Sequence, residues 1–176
     1  KMIHNFWDEN QNSFYDTSKF SNSLILRPSV LQDNVVPSGS SVAWRILIKL
    51  FSITNDKRYK LILDKFLSTT SNQISRLPTS HAYWLSSLNM YYSKPLHLCI
   101  IGDPKDKKTQ EFLKIGNQSY KPNRIIITAS NNTESKNLDI TNEKIMLNNL
   151  PTAYLCENFS CKKPTNLSEE LNLQLL

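Results

Sequence analysis

Hydrophobic residues recur at intervals of three and four along three segments in the first half of the chain, the spacing of one face of an α-helix. The first segment follows Ser41, the second ends near Leu67, and the third starts at Pro78, a residue favoured in a first helical turn. We therefore predict helices joined by short links over most of residues 1–92. The apolar positions are Val42, Ile46, Leu47, Leu50 and Phe51; Tyr59, Ile62, Leu63, Phe66 and Leu67; and Trp84, Leu85, Leu88 and Tyr91.

An extended interruption precedes the first of these helices. Residues 8–13 (Asp-Glu-Asn-Gln-Asn-Ser) favour turns and follow a short amphipathic start at residues 1–7. The stretches 14–17 and 24–28 predict short strands or extended segments. The serine-rich segment 38–41 can cap the free backbone N–H groups of the helix that follows. We therefore predict one extended segment within an otherwise helical half.

Beyond Pro95 the pattern changes to alternating strand and helix. Residues 96–101 form a continuous apolar run that Gly102 ends, and residues 124–128 are rich in isoleucine, so both predict buried strands. The amphipathic stretch 107–120 between them predicts a helix. Two strands joined through a helix of this length form a parallel, right-handed crossover unit.

The remaining segments complete the predicted fold class. A polar loop at residues 131–136 leads to a short helix around residues 142–147, a third strand at residues 153–155 and a terminal helix from Leu167. We predict a mixed α and α/β protein, in which helical hairpins precede a small three-stranded parallel β-sheet with flanking helices. The strand that begins at Leu96 is expected at the centre of the sheet because it is the most continuously apolar.

Composition and charge narrow the function classes. The chain has 176 residues, 39% of them hydrophobic, and its 21 Lys and Arg against 15 Asp and Glu give a formal net charge of +6. The lysines are scattered, and no arginine-rich stripe with interleaved aromatic residues is present, so we expect no nucleic-acid partner. No apolar run reaches membrane-spanning length, so we expect no membrane association and a cytoplasmic location.

Three segments resemble the thioredoxin-domain-containing family related to spermatogenesis-associated protein 20. Residues 154–164 match its closing Tyr-hydrophobic-Cys-x-Asn-x-x-Cys-x-x-Pro pattern. Residues 6–8 (Phe-Trp-Asp) and 14–17 (Phe-Tyr-Asp-Thr) resemble a second family segment. Residues 36–43 resemble its Pro-Ser-Gly-Asn-Ser-Val-Ala helix start, with Ser40 where the family usually has Asn. The resemblance covers nearly the whole chain but only the last part of a family member.

The resemblance implies a domain organisation and a range of functions. Residues 1–92 would be the terminal hairpins of an (α/α)6 six-hairpin, glycosidase-like toroid, and residues 95–176 a small α/β subdomain with the C-x4-C segment. We expect a fragment of a longer protein of undefined, carbohydrate-related activity, with a carbohydrate ligand in the full-length protein. One alternative is a redox role through a missing thioredoxin-like domain. Another is a non-catalytic structural or interaction module. The fragment alone is expected to be inactive, and the apolar faces that it leaves exposed predict self-association.

Carboxylates and serines in the first half are the candidate site residues. Asp16 and Asp33 are the catalytic candidates, because glycosidases need two carboxylates about 5–10 Å apart. The other candidates are placed on the pocket rim, although helix caps and turns explain these residues equally well: Asp8, Ser38, Gly39 and Ser40.

No cofactor and no metal are expected from the sequence. Gly102 stands outside any phosphate-binding glycine motif and is interpreted as a structural turn. None of the three histidines has a second histidine or a cysteine at metal-binding spacing.

The cysteines leave several interpretations open. Cys99 lies in an apolar strand and is expected to be an inert core residue. Cys156 and Cys161 fit structural thiols, a disulfide, a redox pair or a metal site; a disulfide requires Cα atoms within about 7 Å. The chain must then turn sharply between them, which Asn158 permits. We predict a structural pair, close in space and able to bridge, without disulfide reductase activity.

Overall fold

The computed structural model describes residues 1–21, 25–130, 138–157 and 160–176. These residues divide into two units: Lys1–Phe51 with Asp56–Tyr92, and Ser52–Asn55 with Ser93–Leu176. Three sequence predictions lie outside the described residues: Leu24 in the second extended stretch, the polar loop at residues 131–136, and the turn at Asn158.

The first unit is helical with one small hairpin. Its elements are α1 (Met2–Phe6), β1 (Trp7–Asp8), β2 (Ser13–Phe14), α2 (Gly39–Thr54), α3 (Lys57–Arg76), a 3₁₀ turn (Pro78–Ser80) and α4 (Ala82–Ser93). The last residues of α2, from Ser52, and the last residue of α4, Ser93, belong to the second unit. Strands β1 and β2 pair antiparallel. The three predicted helices are therefore present, although α4 starts after the 3₁₀ turn rather than at Pro78. Residues 25–28 contain no strand.

Aromatic side chains form the core of the first unit. Phe66 on α3 lies centrally, with its ring centroid 5.2 Å from that of Trp84 and 5.5 Å from that of Phe14. Both buried tryptophans also satisfy their indole N–H groups: Trp44 donates to the carbonyl of Leu63 at 3.2 Å, and Trp84 to that of Leu31 at 2.8 Å. Packing and hydrogen bonding therefore position the same rings.

A four-stranded sheet organises the second unit. It contains β3 (Leu96–Ile101), β4 (Arg124–Ala129), β5 (Thr152–Glu157) and β6 (Ser160–Cys161) in the order β4-β3-β5-β6. Strands β3 and β4 are parallel and are joined through α5 (Lys107–Gln118), as predicted. The prediction of a three-stranded parallel sheet is wrong, because β5 runs antiparallel to both β3 and β6. The observed sheet is mixed.

The backbone between β4 and β5 explains why β5 runs antiparallel rather than in the predicted parallel direction. The helix predicted around residues 142–147 is not formed; a 3₁₀ turn at Asp139–Thr141 is followed by turns. Glu143, Asn148 and Asn149 adopt left-handed backbone, with φ of 63°, 52° and 58°, which an α-helix does not tolerate. A parallel strand needs a long crossover, usually helical, and the described part of this connection contains no α-helix.

Both faces of the sheet are covered within the second unit. Leu98 and Ile100 pack with residues of α5 and α6 (Ser168–Leu175), whereas Cys99 and Ile101 pack with Ile140 on the other face. Helix α5 approaches β3 closely at Gly116, where an added Cβ would lie 2.6 Å from Leu98 Cδ2.

Candidate functional site

A pocket of about 470 Å³ lies in the first unit, beside β2 and the start of α2. It contains two of the sequence-predicted site residues, Asp16 and Gly39. Most of its wall is apolar or aromatic. The lining residues are Met2, Phe6, Phe14, Tyr15, Asp16, Gly39, Val42, Ala43 and Ile46.

The Asp16 carboxylate is the acidic group of this pocket. Its Oδ2 accepts a hydrogen bond from the backbone N–H of Val30 at 3.1 Å, and its own N–H donates to the carbonyl of Pro28 at 2.9 Å. Its Oδ1 would lie 3.6 Å from a Cβ added to Gly39, the first residue of α2. The side chain is exposed, and within the described residues Oδ1 accepts no hydrogen bond. One oxygen therefore positions the group, and the other is available to a ligand.

Asp33 is placed differently, because its carboxylate joins two helix starts. Oδ1 accepts from the N–H of Ser38 at 2.9 Å and the hydroxyl of Ser41 at 2.7 Å, and Oδ2 accepts from the N–H groups of Tyr83 at 2.8 Å and Trp84 at 3.3 Å. Burial alone would raise the pKa of Asp33, but together these hydrogen bonds lower it by a larger amount. The pKa of Asp33 therefore lies below the usual 3.8. Asp33 is thus an ionised cap and does not line the pocket.

The remaining predicted rim residues make local hydrogen bonds. Asp8 Oδ1 accepts from the N–H groups of Asn10 and Gln11 in the β1–β2 turn, at 2.8 and 3.1 Å. Ser38 Oγ accepts from the N–H of Ser41 at 3.1 Å and so caps α2. Ser40 is buried, and its hydroxyl donates to the carbonyl of Phe14 at 3.5 Å. None of the three lines the pocket.

The apolar wall of the pocket was not predicted from the sequence. Phe6 and Tyr15 lie inside the two short motifs, Phe-Trp-Asp and Phe-Tyr-Asp-Thr, that carried the resemblance. These motifs were the available signal. Ile46, one of the apolar positions at helical spacing in the sequence, is 41% exposed and lines the pocket.

In the second unit, Cys156 and Cys161 form a disulfide. They are directly opposite each other on β5 and β6, with Cα atoms 3.9 Å apart. Cys99 is a buried free thiol, and burial raises its pKa to about 11. A thiol of that pKa is protonated at neutral pH, which makes Cys99 unreactive as a nucleophile.

His97 is buried on the same sheet. Its Nε2 lies 3.2 Å from the hydroxyl of Ser52, and burial lowers its pKa to about 4, so the ring is neutral at pH 7. Among the described residues, no group of three or more His, Cys, Asp or Glu side chains is arranged to hold a metal ion. Of the helices in the described ranges, none is long and apolar enough to cross a membrane.

Fold and site together define a two-unit protein. A helical unit carries an apolar pocket with one exposed carboxylate, and a mixed α/β unit carries a cross-strand disulfide. No family model matches the chain.

Comparison with known proteins relates the chain to spermatogenesis-associated protein 20. The chain is 26% identical over 166 residues to this protein from Rattus norvegicus and from Homo sapiens, which covers 90% of the chain and 21% of each relative. It is 20% identical to an uncharacterized protein of Caenorhabditis elegans, over 94% of the chain and 22% of the relative. The chain therefore spans about a fifth of the length of the curated relatives that it matches. The similarity supports the relationship that the sequence motifs predicted.

Proposed function

We propose that the first unit forms one wall of a carbohydrate-binding pocket in a longer protein. The observation that carries this proposal is the exposed Asp16 carboxylate at an apolar, partly aromatic cavity of about 470 Å³. Pockets for small molecules typically enclose about 300–1,000 Å³ and combine an apolar lining with a few polar groups.

The chemistry of the lining suits a sugar ring. A pyranose presents C–H groups on its faces and hydroxyl groups at its edge. Phe6 and Tyr15 offer apolar surface to the C–H groups, and Asp16 Oδ1 offers an ionised acceptor to a hydroxyl. Hydrogen bonds to a charged acceptor are about twice as strong as neutral ones. The start of α2, at Gly39, lies beside the carboxylate.

The proposed role of Asp16 is to bind rather than to cleave. Glycoside hydrolysis needs a second carboxylate about 5–10 Å away, and Asp33 is committed to its two helix starts. A hydrolytic site would therefore take its second carboxylate from another segment of a longer protein. The short links between α2, α3 and α4 support an origin in a six-hairpin toroid.

Binding should be tested by titrating mono- and oligosaccharides into the isotopically labelled chain and following amide chemical shifts. We expect shifts at Tyr15 and Gly39. The Asp16→Asn variant keeps an acceptor for the Val30 N–H but loses the charge, and should weaken binding by about tenfold. The control is Asp8→Asn, which removes a nearby charge outside the pocket. Equal affinities for wild type and Asp16→Asn would contradict the proposal.

A second candidate function is self-association. A groove of about 600 Å³ between α3 and α4 is largely apolar, and two of its lining residues, Leu85 and Tyr92, are 43% and 68% exposed. We propose that a second copy of the chain covers it. The Leu85→Lys variant should lower the dimer fraction in sedimentation velocity, whereas Leu61→Lys, an exposed leucine outside the groove, should not. A wild-type chain that sediments as a monomer at all concentrations would contradict this candidate.

A further inference from the structure

The two sulfurs of the Cys156–Cys161 disulfide differ in accessibility. Cys156 is fully buried in the core of the second unit, whereas Cys161 is exposed. Cys161 also lines an open groove of about 390 Å³, together with Leu96, Leu155, Glu157, Ser160 and Lys162. An incoming nucleophile therefore has access to one sulfur and not to the other.

A buried histidine is paired across the sheet with the residue that carries the inaccessible sulfur. His97 on β3 is directly opposite Cys156 on β5, and residues so paired project from the same face of a sheet with Cβ atoms about 4.5–5.5 Å apart. His97 is 2% exposed, and its Nδ1 has no hydrogen-bond partner within the described residues. Its Nε2 contacts the hydroxyl of Ser52. Buried polar atoms are rarely left unpaired, so this nitrogen requires an explanation.

We propose that the disulfide is a reversible thiol-exchange site, in which a low-molecular-weight thiol attacks Cys161 and His97 receives the released Cys156 sulfur. The incoming thiolate forms a bond to Cys161 Sγ as the Cys156–Cys161 bond breaks. Cys156 leaves with the electron pair and takes up one proton, which equals the proton lost by the incoming thiol. The products are a mixed disulfide on Cys161 and a free thiol at Cys156.

Nδ1 of His97 is suited to this product in either neutral tautomer. The Ser52 hydroxyl can donate to Nε2 or accept from it, so that both tautomers are compatible with the observed contact. With its proton on Nδ1, His97 donates to the leaving Cys156 thiolate. With the proton on Nε2, Nδ1 accepts from the Cys156 S–H. Opening of the disulfide thus supplies the partner that Nδ1 lacks in the closed form.

Thiol exchange at Cys161 is compatible with the prediction that the Cys156–Cys161 pair has no disulfide reductase activity. Exchange is fastest when the leaving thiol has a low pKa, and Cys156 leaves into a buried, apolar position. The same burial holds the neighbouring Cys99 thiol protonated. The mixed disulfide therefore forms slowly and reverses when Cys156 attacks Cys161 again. Such behaviour describes a modification site rather than a turnover catalyst.

The first experiment identifies the attacked sulfur. The intact chain is incubated with glutathione as the probe thiol, free thiols are blocked, and the adduct is located by peptide mass spectrometry. We expect the adduct on Cys161 and the blocking group on Cys156. Reduction of the wild-type disulfide by a protein dithiol but not by glutathione would overturn the assignment to a small thiol. An adduct on Cys156 would overturn the proposed direction of attack.

The second experiment tests His97 in the wild-type chain, which needs no variant to fold. Histidine ring nitrogens are labelled with ¹⁵N, and their shifts are compared before and after reduction of the disulfide. We expect the Nδ1 shift of His97 to change far more than the ring shifts of His4 and His81. An unchanged Nδ1 shift of His97 would overturn its role.

Variants add a kinetic test. His97→Leu should slow adduct formation by about tenfold, whereas His97→Gln, which keeps a hydrogen-bonding group, should restore the rate to within about threefold. His81→Gln is the matched control, because His81 is also buried and, in the part of the chain that the structure describes, one of its ring nitrogens has no partner, but it lies in the first unit. Equal rates for wild type and His97→Leu would overturn the role of His97.

Discussion

Removal of the Asp33 carboxylate should destabilise the first unit more than the loss of an ordinary helix cap. The carboxylate accepts hydrogen bonds at the starts of both α2 and α4. A lost N-cap typically costs about 1–2 kcal/mol, so Asp33→Ala should lower the free energy of unfolding by about 2–4 kcal/mol. Asp33→Asn, which keeps one acceptor oxygen, should cost about 1–2 kcal/mol.

Urea denaturation followed by tryptophan fluorescence is the appropriate assay, because Trp44 and Trp84 are buried in this unit. The control is Asp56→Ala, which removes the cap of a single helix, α3. We expect the midpoint for Asp33→Ala to fall well below that for Asp56→Ala. Equal midpoints for these two variants would refute the double-cap reasoning.

The pH dependence of the Asp33 contribution follows from the sign of its pKa shift. The folded-state pKa lies below the usual 3.8, so the unfolded chain binds the proton more tightly. The stabilisation is therefore complete above about pH 3.8 and is lost as the pH falls through the folded-state pKa. The difference in stability between wild type and Asp33→Ala should shrink in that acid range. A difference that stays constant to pH 2 would contradict the assignment.

Three further predictions concern the glycines and the buried histidine. Gly116→Ala should cost about 1–3 kcal/mol in urea denaturation, because the new Cβ would lie 2.6 Å from Leu98 Cδ2; unchanged stability would contradict this packing. Gly39→Ala should keep or raise the melting temperature, because alanine has the higher helix propensity. Its methyl group, 3.6 Å from Asp16 Oδ1, should weaken sugar binding in the chemical-shift titration, and an unchanged affinity would argue against the pocket. The pKa of His97 falls from 6.5 to about 4 on folding, so the unfolded chain binds the proton more tightly. The free energy of unfolding should therefore decline by up to about 3 kcal/mol as the pH falls from 6.5 to 4, and it should depend less on pH in the His97→Gln variant.

Local pattern was sufficient to predict several elements of this protein. The helices α2, α3 and α4 follow from apolar residues at helical spacing, because one apolar stripe per helix must be buried. The parallel pairing of β3 and β4, with β3 inside the sheet, follows from an apolar run, a helix and a second apolar run. Few chain paths satisfy that order, since crossover connections are right-handed and need a helix of this length.

The direction of β5 was not predictable from the same kind of pattern. Its apolar residues fit a parallel or an antiparallel neighbour equally well. The left-handed residues Glu143, Asn148 and Asn149 belong to a turning connection in which a helix was predicted. Asparagine tolerates that conformation, but it also occurs in helices, so the sequence did not distinguish the two.

The candidate sites depend most on tertiary structure. From the sequence, Asp16 and Asp33 were both catalytic candidates and Cys156 and Cys161 a structural pair, with nothing to tell the two members of either pair apart. Only the folded chain brings Asp33 to two helix starts, one of them at Tyr83, which lies 50 residues from Asp33 in the sequence. Asp16 is left as the acidic group of the pocket. Only strand register sets His97 opposite Cys156. Periodicity reports which face of an element is buried, whereas these roles depend on which residues of distant segments meet, and that is decided by packing.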